Sequence, residues 1–182
     1  MNARDAEVLL SGAVPPGPGI WADFGAGAGT FTRALGRLLG SGSKIFAVDR
    51  DTRSIASLAR GAGRGADGVE IIPVLRDFTD GIALPGTAAS VLDGMLFANS
   101  LHYVAKPELT LARLGVLLRA GGRLVIVEYD GRHANRWVPY PIPPARLSEV
   151  AAAAGLAAPT VTASRPSAYG GSLYVAFTQR GS

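Results

Sequence analysis

The sequence predicts an α/β fold: a doubly wound, mostly parallel seven-stranded sheet with helices on both faces and an antiparallel hairpin at its end. Three observations carry that prediction. Strand-like and helix-like segments alternate along most of the chain. The first strand runs straight into alternate glycines, "WADFGAGAGTF" (21–31). The last two strand-like stretches are joined by a Gly-Gly turn.

Taken in order, residues 1–18 form an N-terminal helical segment, and "GIWADF" (19–24) is a short apolar run that reads as a buried strand. "TFTRALGRLLG" (30–40) sets Phe31, Ala34, Leu35, Leu38 and Leu39 on one helical face, with Thr30 as its expected cap and Gly40 as its stop. "KIFAVD" (44–49) is the second strand, and Asp51 is placed to cap a second helix over 51–63. "VEIIPVLRDF" (69–78) is the third strand, where Pro73 points to an edge because proline cannot donate to a central ladder. "ASVLDGMLFANSL" (89–101) is the fourth, despite Gly94, and a helix over 107–122 begins with proline and ends with glycines. "GRLVIVEYD" (122–130) is the fifth strand. A proline-rich loop (131–144), a helix (145–156) and two strands (159–166 and 169–180) complete one domain over residues 1–182.

Composition sets bounds on function. Hydrophobic residues make up 48% and charged ones 18%, which suits a packed domain and not a disordered chain. With no cysteine there is no disulfide, thiolate metal site or cysteine nucleophile, which fits a cytoplasmic protein. No apolar run has the length of a membrane span, and the N-terminus lacks the apolar core of a signal peptide. The net charge of +4 lies wholly in the last third, where five arginines (Arg132, Arg136, Arg146, Arg165, Arg180) face Glu149 alone. Five scattered arginines are too few for a convincing nucleic-acid phosphate track, which leaves an anionic small molecule or a plain solvated surface as the reading of the charge excess.

In a doubly wound sheet, ligands sit at the carboxyl ends of the strands beside the first one, where the glycine stretch lies. Bare backbone there lets N–H groups and a helix N-terminus approach a ligand closely. A dinucleotide fingerprint, G-x-G-x-x-G, would need glycine at position 30, which is Thr30. The spacing is instead G-x-G-x-G (Gly25, Gly27, Gly29) behind Asp23, with Asp49 ending the second strand and Asp77 following the third. With these motifs the sequence resembles the class I S-adenosylmethionine-dependent methyltransferases over about residues 19–180. The resemblance implies a strand order of 3-2-1-4-5-7-6 and S-adenosylmethionine as cofactor, with S-adenosylhomocysteine as product. It also implies that Asp23, Gly25 and Gly27 shape the cofactor loop and that Asp49 accepts from the ribose hydroxyls, with Arg50 along the adenine. Asp77 and Phe78 would meet the adenine, and Asn99, in the stretch ending strand four, would lie beside the methionine moiety.

The acceptor side is read more thinly. His102, after strand four, is the candidate general base, and His133 is a weaker one. Tyr103, Tyr129, Arg132, Arg136, Trp137 and Tyr140 are candidate substrate contacts, most of them in a loop over 129–144 that gathers aromatic and basic side chains. They suggest a small, aromatic or anionic acceptor and no metal. With little chain before strand one, the site would be open or completed by a second subunit, as in a homodimer. Two alternatives keep the same sheet: an NAD(P)-dependent oxidoreductase, and a non-catalytic S-adenosylmethionine-binding partner.

Overall fold

The computed structural model describes residues 1–61, 68–80, 83–87 and 90–181. The last two residues of the expected second helix and the first of the expected fourth strand lie outside them. Seven strands form one sheet: β1 (Ile20–Phe24), β2 (Lys44–Asp49), β3 (Glu70–Leu75), β4 (Leu92–Ala98), β5 (Leu118–Asp130), β6 (Thr160–Pro166) and β7 (Ser172–Gln179). Their order is β3-β2-β1-β4-β5-β7-β6, with β7 antiparallel to both neighbours and the other described pairings parallel. The order and the reversed last strand are those implied by the sequence.

Helices α1 (Ala3–Leu10) and α2 (Thr30–Leu39) pack on one face, where Leu9, Leu10, Leu35 and Leu39 meet Trp21, Ile45 and Val125. On the other face, α4 (Pro107–Gly115) and α5 (Pro144–Ala153) bring Leu111, Leu114, Leu147 and Val150 against Phe46, Met95 and Ile126. Each leucine buried in these layers contributes about 2 kcal/mol relative to exposure. Helix α3 (Thr52–Gly61) adds Leu58 beside Ala26 and Ala47. Among the described residues, no helix is long and apolar enough to cross a membrane.

Pro73 sits on β3, an edge strand, as its chemistry requires. Gly94 is explained by packing, because a Cβ there would collide with the Trp21 indole. Three expectations need correction. Thr30 is the first helical residue of α2, and the cap position is Gly29, in the left-handed region at φ 80°, with no side-chain cap. The helix expected over 107–122 stops at Gly115, and β5 begins at Leu118, which pairs with Leu92 while Arg119 ties to Asp93 at 2.7 Å. The glycines at 121 and 122 therefore lie within a strand and do not end a helix. The third strand ends at Leu75, so Phe78 opens a short 3-10 turn.

Candidate cofactor and acceptor clefts

The three alternate glycines after β1 all have positive φ, at 83°, 51° and 80° for Gly25, Gly27 and Gly29. They are bare for different reasons. A Cβ on Gly25 would run into Ser100, whose hydroxyl donates to the Phe24 carbonyl at 2.6 Å, and one on Gly29 would run into Leu58. A Cβ on Gly27 would meet nothing within 4 Å, so this is the glycine whose side-chain direction is open space. The loop is held by Gly25 and Ala26 N–H groups donating to the Val48 carbonyl at 2.8 and 3.0 Å.

Asp23 lies beneath the loop, fully buried, and accepts from the Thr32 hydroxyl at 2.6 Å. Its other oxygen has no partner among the described residues. Burial pushes its pKa up to about 7, with the Asp49 charge adding to the rise and the Thr32 hydrogen bond opposing it. Asp23 does not line the cleft, and its hydrogen bond ties β1 to the first turn of α2.

The cleft itself opens beside Asp49, between Gly25, Asp49, Arg50, Asp77, Phe78 and Asn99, and spans about 650 Å³ including its solvent-open mouth. Asp49 accepts from the Gly27 N–H at 2.7 Å and from the Asp51 N–H at 2.8 Å, so the carboxylate and the glycine loop fix each other. Asp77 is half-buried. Burial works against its charge, but hydrogen bonds from the Thr79 hydroxyl and N–H, at 2.7 and 2.9 Å, and the Arg50 guanidinium at 3.2 Å outweigh that and hold its carboxyl below the usual range. Arg50 thus bridges to Asp77 at the mouth of the cleft. Phe78 forms its apolar wall, set edge-on to Phe97 with ring centres 5.5 Å apart.

A second cleft, of about 720 Å³, adjoins the first through Asn99 and Tyr103, which line both. Its other walls include His102, Tyr129, Arg132, Trp137 and Tyr169. The loop after β5 is pinned: Tyr140 N–H donates to the His102 carbonyl at 3.0 Å, and the Tyr174 hydroxyl donates to the Ile142 carbonyl at 2.6 Å. Arg132 stacks on Tyr129 with its guanidinium carbon 4.9 Å from the ring centre. Burial raises the Tyr129 pKa, while Arg132 pulls it the other way.

The methyltransferase-domain family model matches residues 22–126, more than half the chain. The chain belongs to the class I S-adenosylmethionine-dependent methyltransferases. Solved structures of the same fold include a 1,6-didemethyltoxoflavin N1-methyltransferase of Burkholderia thailandensis with 1,6-didemethyltoxoflavin and S-adenosylhomocysteine bound. It is 24% identical, with a TM-score of 0.69 over 99% of this chain and 78% of that one. A methyltransferase of Aquifex aeolicus is 19% identical (TM-score 0.72, 96% of this chain, 89% of that one). The YcgJ protein of Bacillus subtilis is 10% identical (TM-score 0.74, 98% and 99%). No curated protein matches the sequence. The oxidoreductase alternative is overturned by the family match, and the protein is an S-adenosylmethionine-dependent methyltransferase.

This methyltransferase has residues that fit its cofactor. Asn99 is held at φ 55°, a conformation few non-glycine residues tolerate, and its buried Oδ1 has no partner among the described residues. It lines both clefts and also a recess of about 580 Å³ along the glycine loop, where Gly27, Thr30 and Phe31 lie. Buried polar groups are normally paired, so this acceptor is left unsatisfied by the described protein groups, and a bound ligand is one partner for it. Beside it, the start of α2 offers N–H groups to an anionic one.

The structure gathers most of the residues singled out from the sequence, but not all. Arg136 and Tyr140 are not among the residues lining the second cleft, and Arg136 instead stacks on Trp137, 4.7 Å from the ring centre. His133 is exposed in the loop. Arg146 and Arg180 spend their guanidinium groups on backbone carbonyls, Pro141 in the first case and Gly115 and Val116 among those in the second. Sequence reading missed Arg76, Thr79, Tyr169 and above all Glu128, a fully buried acid within β5 that contacts His102. Its only signal was a lone acid in a run of β-branched residues. Among the described residues, no cluster of acids and histidines is arranged to hold a metal ion.

Proposed function

We propose that the protein methylates a small aromatic acceptor bearing an anionic group, which it holds in the second cleft. The observation that carries the reading is the junction of the two clefts at Asn99 and Tyr103, with His102 on the acceptor side of it. Bound in the first cleft, S-adenosylmethionine supplies an electrophilic methyl group on a sulfonium. Asp49 takes its ribose hydroxyls, because an acid already oriented by two backbone N–H groups keeps lone pairs for charge-assisted bonds. Asp77 and Phe78 hold the adenine, Asn99 takes a donor of the methionine moiety, and Arg50 closes the rim.

Tyr103, Tyr129 and Trp137 present aromatic surface to an acceptor ring, and Arg132 faces its anionic group. His102 is the general base, since it lines the acceptor cleft and is the one histidine with a fixed orientation. Holding the acceptor in line is the main catalytic contribution of the walls.

The test is a screen of phenols and nitrogen heteroaromatics, with and without a carboxylate, that follows S-adenosylhomocysteine release. Turnover with anionic aromatic members and none with aliphatic amines supports the reading. Turnover confined to aliphatic or cationic acceptors would overturn it.

A further inference from the structure

Glu128 is fully buried, and so is His102. The carboxyl grips the histidine twice: Oε1 accepts from its backbone N–H at 3.1 Å, and Oε2 lies 2.7 Å from ring Nδ1. A carboxylate has only acceptors, so a ring set against one must present its hydrogen at Nδ1. The remaining ring nitrogen, Nε2, has no partner among the described residues, and the ring lines the acceptor cleft. Tyr103 and Tyr129 flank it, with ring centres 4.5 and 5.9 Å away.

We infer that Glu128 is a positioning residue that fixes His102 in the Nδ1–H form, so that bare Nε2 takes a proton from an acceptor carrying a weakly acidic O–H or ring N–H. The inference rests on reading the second cleft as the acceptor site. In the step, the acceptor's O–H or N–H bond breaks and its proton passes to Nε2. The freed electron pair forms the bond to the methyl carbon, and the pair of the breaking carbon–sulfur bond stays on sulfur. His102 later returns the proton to solvent, and no oxidant or reductant enters. Acceptors with no proton to lose gain nothing from this arrangement, so the pair selects phenols, enols or ring N–H acids. A buried acid that orients a histidine leaves the wrong tautomer behind when it is made neutral.

The experiment is a nitrogen-15 NMR measurement of the histidine ring in the full chain, at a pH where it is neutral. His133→Gln removes the only other histidine. The expected spectrum shows Nδ1 protonated and Nε2 bare. In Glu128→Gln the amide oxygen still meets the backbone N–H and the NH2 faces Nδ1, so the ring should switch to Nε2–H. Turnover should then fall by about 10²-fold or more, the range general-base catalysis supplies. The thermal shift with S-adenosylhomocysteine should be unchanged. Losses in Glu128→Gln and His102→Gln should also be non-additive, because both remove one device. Nε2–H in the parent spectrum, an unchanged tautomer in Glu128→Gln, or additive losses would each overturn the inference. The parent spectrum alone decides even if that variant does not fold. If no acceptor in the screen is methylated while the tautomer is as expected, the acceptor reading fails and the Glu128–His102 pairing stands.

Discussion

The cleft beside Asp49 is walled by strand ends and the turns that leave them, whereas the cleft beside His102 is walled largely by loops. Asp49 ends β2 and Asn99 follows β4 directly, so backbone registers such as Phe24 with Val48 fix how far apart these groups sit. Arg132 and Trp137 come from the loop after β5, and Tyr169 from the β6–β7 turn. Their positions depend on single pins such as the Tyr174 hydroxyl on the Ile142 carbonyl. A sheet can therefore hold one ligand site constant while loops present different surfaces next to it. Substitutions in the two walls should separate cleanly: one set changing the fold and cofactor affinity, the other only the acceptor.

The largest expected effect lies beneath the first cleft. Asp23 has a raised folded-state pKa of about 7, so relative to an ordinary carboxyl its stability contribution is full below the unfolded value, 3.8, and is lost as pH rises through 7. Each unit of that shift is worth 1.36 kcal/mol, so Asp23→Asn should gain roughly 3 kcal/mol on the parent between pH 4.5 and pH 8. Paired denaturant titrations at the two pH values check this, because other carboxyls cancel in the difference. A pH-independent difference would mean that Asp23 is ionised throughout, and the Thr32 hydroxyl would then donate to a buried charge.

Next is Asp49→Ala. It deletes the acceptor proposed for the ribose and leaves the Gly27 and Asp51 N–H groups without their partner. Bonds to a charged group are worth about 1.5–3 kcal/mol each, so cofactor affinity should fall by at least about 100-fold. S-adenosylhomocysteine at 100 times its Kd stabilises the parent by about 2.7 kcal/mol, and at the same concentration that shift should shrink to about 0.4 kcal/mol or less in the variant. A retained shift would remove Asp49 from the cofactor site.

Third, Gly25→Ala and Gly27→Ala test why the glycines are bare. Both positions have positive φ, which costs an alanine about 1–2 kcal/mol. Only at Gly25 does the new methyl also meet Ser100. Gly25→Ala should therefore melt lower than Gly27→Ala, while Gly27→Ala should cost cofactor affinity out of proportion to its stability. Equal losses in both measures would mean that the two positions face the same surroundings.

The same contrast explains what the sequence could show. Alternating segments, the alternate glycines and acids at Asp49 and Asp77 are local signals tied to strand ends, so the fold and the first cleft were legible. Glu128 was not, because an acid in a strand takes its meaning from what lies across the sheet, and His102 is 26 residues away. Arg136 misled for the opposite reason. Its density among aromatic residues was visible, but its stacking on Trp137 depends on a turn in which Asn135 Oδ1 accepts from the Trp137 N–H at 2.8 Å. The helix expected to reach 122 was cut short by pairing of Leu118 with Leu92, a tertiary contact outweighing local propensity.

That contrast between neighbouring arginines gives the smallest and sharpest prediction. Arg132 lines the second cleft over Tyr129, and Arg136 does not line it. Both are stem-and-guanidinium side chains on one loop, so a general electrostatic attraction would treat them alike. Direct recognition would not. Arg132→Met should raise KM for an anionic aromatic acceptor about tenfold, roughly 1.4 kcal/mol, while leaving a neutral analogue within about twofold. Arg136→Met should leave both within about twofold, since a solvent-exposed charge outside the cleft is largely screened. Steady-state kinetics at two salt concentrations distinguish the cases: the Arg132 effect should persist at high salt because it reflects contact. If the two variants behave alike and both effects fade with salt, the loop attracts its acceptor by field alone, and the second cleft lacks the fixed anion site proposed for it.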